Sequence, residues 1–312
     1  MVSHKKNFCT SATRVFVWII LIFFIGVGIG MLLNSQAVRK KRLLLTKNKE
    51  ESHVTSIDDN NNTLIDSTQE SKTGSGCSDS PYGSQSLESD LPMLALIIDD
   101  LGYASPDLVN RLCNQPIAFD VAILPYQKFT RSSAEIAHSK GKEVMLHLPM
   151  EPNGYPGPGK NPGSDAIMHD LSETEVRHRV RNAMASVPFF KGVNNHMGSR
   201  ITQDRTRMTW VLEEVGLRQC FFVDSLTGEK SVAFDVAVGL AVPTAKRQVF
   251  LDDDRSSVAI LKQWELAITI ARSSGQVIVI GHMYPETVDI LEKIIPFAKG
   301  KVQFVPVSHI VK

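Results

Sequence analysis

The chain has 312 residues, of which 43% are hydrophobic and 21% are charged, and its formal net charge is +1 at pH 7. These proportions are ordinary for a globular fold, and the near-balance of charge excludes the strongly basic surface with which many proteins bind nucleic acid. The spacing of the four cysteines excludes a zinc finger.

The first predicted element is an uncharged apolar run at residues 15–33, VFVWIILIFFIGVGIGMLL. About 20 apolar residues cross the core of a bilayer as a helix, whereas the apolar core of a signal peptide has about 7–15. Ser35-Gln36-Ala37 resembles a signal-peptidase site, so cleavage stays the alternative. We interpret residues 15–33 as an uncleaved transmembrane anchor behind a basic leader, residues 1–14.

Two features disagree about the side of the membrane on which the rest of the chain lies. Four basic residues at 39–42 follow the apolar run and outnumber those before it, which by the positive-inside rule favours a cytoplasmic domain. A first hydrophobic segment behind a short basic leader is, however, the usual design of a signal anchor whose following domain is translocated. We therefore expect a membrane-anchored protein with an extracytoplasmic domain, periplasmic or at the cell surface.

A polar segment at residues 34–92 follows the anchor. Residues 57–90 read IDDNNNTLIDSTQESKTGSGCSDSPYGSQSLESD, which is rich in Ser, Asp, Asn and Gly. Such a composition buries too little apolar surface to offset the entropy of ordering the chain. The sequence therefore predicts a disordered linker at 34–92 and a folded domain at 93–312.

From Met93 onward, short apolar runs alternate with amphipathic stretches. Ser172 and Glu175 form a capping-box pattern that marks one helix start, and Ser105 is a candidate cap for another. This alternation predicts an α/β fold, a distorted (β/α) barrel of seven or eight strands. The predicted strands are 94–98, 119–124, 143–148, 191–194, 219–223, 248–251, 276–280 and 302–305, and the predicted helices include 130–140, 172–186, 203–214, 256–273 and 286–297.

Functional groups of such barrels cluster at the carboxyl ends of the strands, so the residues at these ends are candidates. Asp99 and Asp100 end the first strand, and His147 and His196 lie at the ends of the third and fourth strands. Asp100, His147 and His196 offer one carboxylate oxygen and two imidazole nitrogens, which suit zinc or a similar divalent ion with an open position for water. Asp99 could then act as general base toward that water. Taken alone, each histidine is more often a structural residue.

Five further candidates lie at the same ends of the predicted strands. His282 could protonate a leaving group, and Arg200 could orient a carboxylate, bind an anionic or carbonyl oxygen, or be a solvated surface charge. Glu151 could be a further metal ligand or orient one, and Asp224 could contact substrate or support the site. The acidic run 252–254 favours a solvated turn, with participation of one member in a hydrogen-bond network as the alternative.

The stretches LALIIDDLG, LHLPMEP, NNHMGSRIT, FFVDSLT and IGHMYPETVDIL occur in this order within residues 94–291. Together they resemble the divergent polysaccharide deacetylase family, bacterial envelope proteins related to metal-dependent carbohydrate deacetylases. The resemblance implies a distorted (β/α) barrel that hydrolyses N-acetyl groups on envelope carbohydrate, such as a peptidoglycan-like glycan, with a divalent metal that is usually zinc. It further implies Asp99 as general base, His282 as general acid, and Asp100, His147 and His196 as metal ligands.

One motif departs from the pattern of the related deacetylases. Their usual HxxxH ligand pair is absent, because Glu151 stands four residues after His147 and the second histidine, His196, belongs to another strand. A non-catalytic glycan-binding or envelope-assembly protein on the same fold is therefore the alternative function. Both alternatives predict a cleft at the strand ends, but only the enzyme requires Asp99 and His282 beside a bound metal.

Overall fold

The computed structural model describes residues 91–312. The predicted leader and anchor, residues 1–33, and nearly all of the predicted linker lie outside the described residues. Within residues 91–312, no helix combines the length and the apolar character needed to span a membrane.

All nine strands in the described part of the chain belong to one parallel sheet. The eight predicted strands each correspond to an observed strand, and the short strand at Thr244–Lys246 is additional. The strands are β1 (Met93–Leu101), β2 (Asp120–Ile123), β3 (Glu143–Met150), β4 (Phe190–Met197), β5 (Phe221–Asp224), β6 (Thr244–Lys246), β7 (Val249–Phe250), β8 (Gln276–His282) and β9 (Gln303–Phe304).

Two helices between the strands begin at the polar caps that the sequence indicates. The side chain of Ser105 accepts a hydrogen bond from Leu108 N, and Ser172 and Glu175 form the predicted capping box. The helix at Ala233–Gly239 was not predicted. The helices are α1 (Pro106–Cys113), α2 (Thr130–Ser139), α3 (Glu173–Ser186), α4 (Arg205–Leu217), α5 (Ala233–Gly239), α6 (Ser257–Ser274) and α7 (Pro285–Ala298).

The sheet curls because its two ends are joined by a very short piece of chain. The hydrogen-bonded order is β6-β5-β4-β3-β2-β1-β8-β7, with β9 beside β1, so β6 and β7 lie at opposite ends of the order. Only Arg247 and Gln248 separate these two strands in the sequence. Three Cα–Cα steps of 3.8 Å span at most about 11 Å, so the ends of the sheet must approach each other. The domain is a curled, parallel (β/α) half-barrel, which agrees with the predicted distorted barrel at the level of fold class.

Both faces of the sheet are buried, as expected for parallel strands between two apolar layers. On β1, Leu94, Leu96 and Ile98 pack with the helices outside, whereas Ala95 and Ile97 face an inner apolar cluster. The C-terminal segment contributes to that inner cluster through Val305, Val307 and Ile310. Its contacts with the first residues of β1, β2, β3 and β6 place it at the amino ends of the strands. The opposite, carboxyl ends are the ones that carry the polar side chains.

Candidate functional site

A cleft of about 310 Å³ lies at the carboxyl ends of β1, β3, β4 and β8. The five residues predicted to bind the metal or to transfer protons all line it: Asp99, Asp100, His147, His196 and His282. Parallel strands end at the same edge of a sheet, which is why residues far apart in sequence meet here.

The neighbours Asp99 and Asp100 both line this cleft because Asp100 adopts a left-handed backbone conformation instead of an extended one. Successive side chains of a regular strand point to opposite faces. Asp100 has a φ of 64°, in the left-handed region, and Gly102 follows with a φ of 115°. For a residue other than glycine this conformation costs about 1 kcal/mol or more. The left-handed conformation of Asp100 thus accompanies the placement of two neighbouring carboxyl groups at one site.

Three side chains converge on a common point in the cleft. Asp100 Oδ1 lies 3.0 Å from His196 Nδ1 and 3.3 Å from His147 Nε2, and the two ring nitrogens are 3.2 Å apart. Tetrahedral ligation with bonds of about 2.0–2.1 Å places ligand atoms roughly 3.3 Å apart, so the three separations fit a divalent cation. Asp100 Oδ1 is also buried without a hydrogen bond of acceptable geometry from the described residues. We call Asp100, His147 and His196 the metal triad.

The electrostatic environment separates the two neighbouring aspartates. Burial raises the pKa of Asp99, and this effect outweighs the opposing influence of His147, His282 and Asn194. Burial also acts to raise the pKa of Asp100, but the two imidazoles of the metal triad lower it well below its usual range. Opposite shifts of neighbouring carboxyl groups are typical of sites in which one group stays ionised and the other exchanges a proton.

His282 is held by a buried carboxylate on the far side of the cleft. Its Nδ1 lies 2.8 Å from Asp252 Oδ1, its backbone N–H donates to Asp252 Oδ2 at 2.7 Å, and Thr287 Oγ1 donates to the same oxygen at 2.7 Å. Burial acts to lower the pKa of His282, but the hydrogen bond with Asp252 and the nearby carboxylates raise it to about 9. His282 is therefore protonated near pH 7 in the metal-free protein.

The acidic run 252–254 differs in part from the solvated turn that the sequence favours. Asp252 is 3% exposed and belongs to the hydrogen-bond network that was the alternative, whereas Asp253 and Asp254 are exposed. Asp252 lies two residues after β7, and pairing of β7 with β8 brings it beside His282. The sequence offered one indication of this role, since Asp252 follows the short apolar run 249–251.

Glu151 and Arg200 contact each other in a separate pocket, and neither lines the cleft that holds the metal triad. Glu151 Oε1 lies 2.5 Å from Arg200 Nη1, and Glu151 Oε2 accepts a hydrogen bond from the backbone N–H of His169 at 2.6 Å. Arg200 thus pairs with a carboxylate of the domain itself. Asp224 is fully buried and accepts hydrogen bonds from Leu226 N at 2.8 Å and Ser231 Oγ at 2.7 Å. These three residues fix the loops around the cleft.

Several residues at the cleft were not predicted. Asn194 on β4 is fully buried and contacts both Asp99 and His147. Tyr284 stacks on the ring of His282, with 5.4 Å between centroids, and Phe250 packs edge-on against it at 5.1 Å. The asparagine could have been noticed as a polar residue within the apolar β4 stretch, but the aromatic residues resemble ordinary core positions.

Two curated relatives resemble this chain over most of the described domain. An uncharacterized protein of Escherichia coli (strain K12), YibQ, is 37% identical over 202 residues, which are 65% of this chain and 62% of the relative. An uncharacterized protein of Haemophilus influenzae is 34% identical over 200 residues, which are 64% of this chain and 69% of that protein. The chain thus spans less than two thirds of the length of the E. coli relative.

The fold also resembles the crystal structure of the uncharacterized protein ATU2773 from Agrobacterium tumefaciens C58. The TM-score is 0.67 and the identity 24%, with 72% of this chain and 90% of the other chain covered. The sequence model of the family described as "Divergent polysaccharide deacetylase" matches residues 96–311, most of the chain and nearly all of the described domain. The resemblance carried by the five sequence stretches is confirmed, and the chain belongs to the divergent polysaccharide deacetylase family.

Proposed function

We propose that the domain is a metal-dependent hydrolase that removes N-acetyl or related acyl groups from envelope carbohydrate. The observation that carries the proposal is the convergence of the metal triad, Asp99 and the His282–Asp252 pair in one cleft. A cation site, a buried carboxylate and an oriented imidazole are the groups that hydrolysis of an amide requires. Membership of the family supports carbohydrate as the substrate class.

Asp100, His147 and His196 would hold the metal ion, and zinc suits this ligand set. When bound, such an ion polarises a carbonyl oxygen and lowers the pKa of a water molecule. Asp99 then accepts the proton of the attacking water, for which its raised pKa is favourable. His282 donates a proton to the departing sugar amine, and Asp252 keeps its ring oriented and protonated until that step.

The cleft walls support a sugar as ligand. Phe250 and Tyr284 line the cleft on the His282 side, and Lys160, Ser199 and Thr227 contribute polar groups elsewhere on the wall. Apolar ring faces combined with a few polar groups are typical of sites for small polar ligands. We infer that the sugar lies against the side of the cleft formed by Phe250 and Tyr284 while its acyl group points to the metal triad.

We further propose that the N-terminal segment anchors the protein in a membrane, with the hydrolase domain outside the cytoplasm, where envelope glycans lie. The support is the apolar run at residues 15–33 behind its basic leader. Reporter proteins that are active on only one side of the membrane, fused after Lys312, test this topology. A reporter active only in the cytoplasm would overturn the extracytoplasmic assignment.

The catalytic proposal is tested by acetate release from N-acetylated oligosaccharides with the purified full chain and zinc. We expect Asp99→Asn to reduce the rate by roughly 100-fold or more, because general-base catalysis contributes about that much. Asp253→Asn is a matched control, since Asp253 is exposed and lies outside the proton-transfer network. Binding of the oligosaccharide without acetate release would instead support the non-catalytic glycan-binding alternative.

A further inference from the structure

Asn194 lies at the centre of the buried polar network below the cleft. It is a residue of β4, is fully buried, and stands opposite His147 in the register of β3 and β4. Its Oδ1 lies 2.8 Å from His147 Nδ1, and its Nδ2 donates to Asp99 Oδ1 at 2.9 Å and approaches Ser225 Oγ at 3.2 Å. One side chain thus contacts both a metal-triad residue and the candidate base.

With Asp99 ionised and His147 neutral, as base catalysis and metal binding require, the hydrogen-bonding capacities of these groups leave one consistent arrangement. An ionised Asp99 only accepts hydrogen bonds, so the amide NH₂ of Asn194 must face it. The amide oxygen then faces His147, whose Nδ1 must carry the proton that it accepts. The lone pair of the neutral His147 ring is therefore on Nε2, the nitrogen that lies near Asp100 and His196.

We propose that Asn194 is a positioning residue that prepares His147 for metal binding and Asp99 for proton transfer. Metal-bound histidines usually donate their second N–H to a carboxylate or a backbone carbonyl. Here a carboxylate would add a second negative charge about 3 Å from Asp99, in a region without solvent. The neutral amide satisfies His147 as an acceptor and Asp99 as a donor at the same time.

The neighbouring asparagine provides a comparison within the same strand. Asn195 is equally buried, but it donates to the carbonyl of Met197 at 2.8 Å and accepts from the backbone N–H of Ser225 at 3.0 Å. Its contacts hold the loops after β4 and β5. Because successive strand residues face opposite sides, Asn195 supports backbone and Asn194 contacts the site residues.

The test is the zinc affinity of the full chain, measured by competition with a chelator, together with the visible spectrum of the cobalt-loaded protein. Asn194→Ala should weaken zinc binding by roughly 10- to 100-fold and alter the cobalt spectrum. Asn194→Asp keeps the size of the side chain and an oxygen facing His147, so this variant should bind zinc more tightly than Asn194→Ala. Asn182→Ala is the matched control, since Asn182 also pairs with a histidine, His178, at 3.0 Å on exposed α3; we expect it to change neither quantity.

A second arm separates positioning from a general packing effect. If Asn194 acts through His147, Asn194→Ala should cause no further loss of zinc affinity in a His147→Ala background. Zinc affinity within about threefold of the unmodified protein in Asn194→Ala, or an equal loss in Asn194→Asp, would overturn the proposal. The role toward Asp99 rests on the proposed function, but these metal-binding results do not depend on turnover, so a protein that binds zinc without releasing acetate still tests Asn194.

Discussion

Buried carboxyl groups occur in pairs at both ends of the sheet, but their partners differ. At the carboxyl ends, Asp99 and Asp100 face imidazoles and line an open cleft. At the amino ends, Asp120 Oδ2 accepts from Val307 N at 2.9 Å, and Glu143 accepts from the backbone N–H and the hydroxyl of Ser308. The first pair retains capacity for a cation, whereas the second fastens the C-terminal segment.

The contrast shows how one residue type serves two purposes in this fold. Burial, and next to it the charge of Glu143, raise the pKa of Asp120 well above its usual value, which favours the neutral form of this structural carboxyl group. Asp100 is also largely buried, yet the imidazoles beside it keep its carboxylate charged. The neighbouring side chains, rather than burial alone, decide which carboxyl group is available for chemistry.

The largest expected effect is on metal binding at the carboxyl ends. Asp100→Ala should weaken zinc binding by more than about 100-fold, since loss of a ligand exceeds the roughly 10- to 100-fold effect of losing a supporting hydrogen bond. Titration calorimetry with zinc measures the change. Asp120→Asn at the other end of the sheet should bind zinc normally. An equal loss of zinc affinity in both variants would contradict the assignment of the cation site to the carboxyl ends of the strands.

Asp252→Asn should have the next largest effect, through His282. Without the carboxylate, the pKa of His282 falls from about 9 toward its usual 6.5. A general acid must be protonated, so the alkaline fall in the rate of acetate release should move to lower pH, and the rate at pH 8 should drop by roughly tenfold or more. The exposed neighbour variant, Asp253→Asn, should keep the original pH profile. An unshifted profile in Asp252→Asn would contradict the pairing.

The same pair predicts how stability depends on pH in the metal-free protein. The folded-state pKa of His282 is raised, so its stabilisation is fully present below pH 6.5 and is lost as the pH rises through about 9. Urea unfolding of the unmodified protein and His282→Gln should therefore differ by up to about 3 kcal/mol near pH 6.5 and converge toward pH 9. His178→Gln, at an exposed position, serves as control. A pH-independent difference would contradict the account.

The smallest expected effect concerns the amino ends. The raised pKa of Asp120 means that its stabilisation is present below its usual value of 3.8 and is lost as the pH rises through the folded-state value. Asp120→Asn cannot ionise, so it should gain stability relative to the unmodified protein as the pH rises, by about 1 kcal/mol per pH unit within that window. Chemical unfolding at several pH values measures this gain. A relative loss of stability in Asp120→Asn as the pH rises would contradict a raised pKa of Asp120 in the folded protein.

Much of the fold was predictable because buried parallel strands leave continuous apolar runs in the sequence. The strand β6 (Thr244–Lys246) was missed since it is short and includes polar residues, and only its pairing with β5 defines it. The metal triad was predictable from residue type and position at strand ends. The role of Asn194 was not predictable, because it depends on hydrogen bonds with His147 and Asp99, which only the fold places beside it.

Asp252 illustrates the same limit for charged residues. Within a run of three aspartates it resembles its exposed neighbours, and only the register of β7 with β8 distinguishes it. The local sequence therefore identified which strands end in polar or charged residues. The pairing of the strands in the folded sheet determined which of these side chains contact each other.

The most direct test of the central claim is a titration of acetate release with zinc. The full chain, stripped of metal, is incubated with an N-acetylated oligosaccharide while zinc is added stepwise. We predict that activity is absent without metal, rises in proportion to added zinc and reaches its plateau at one ion per chain, the capacity of the single metal triad found among residues 91–312. Saturation of the site with zinc and no acetate release at any point of the titration would contradict the assignment of this cleft as a deacetylase active site.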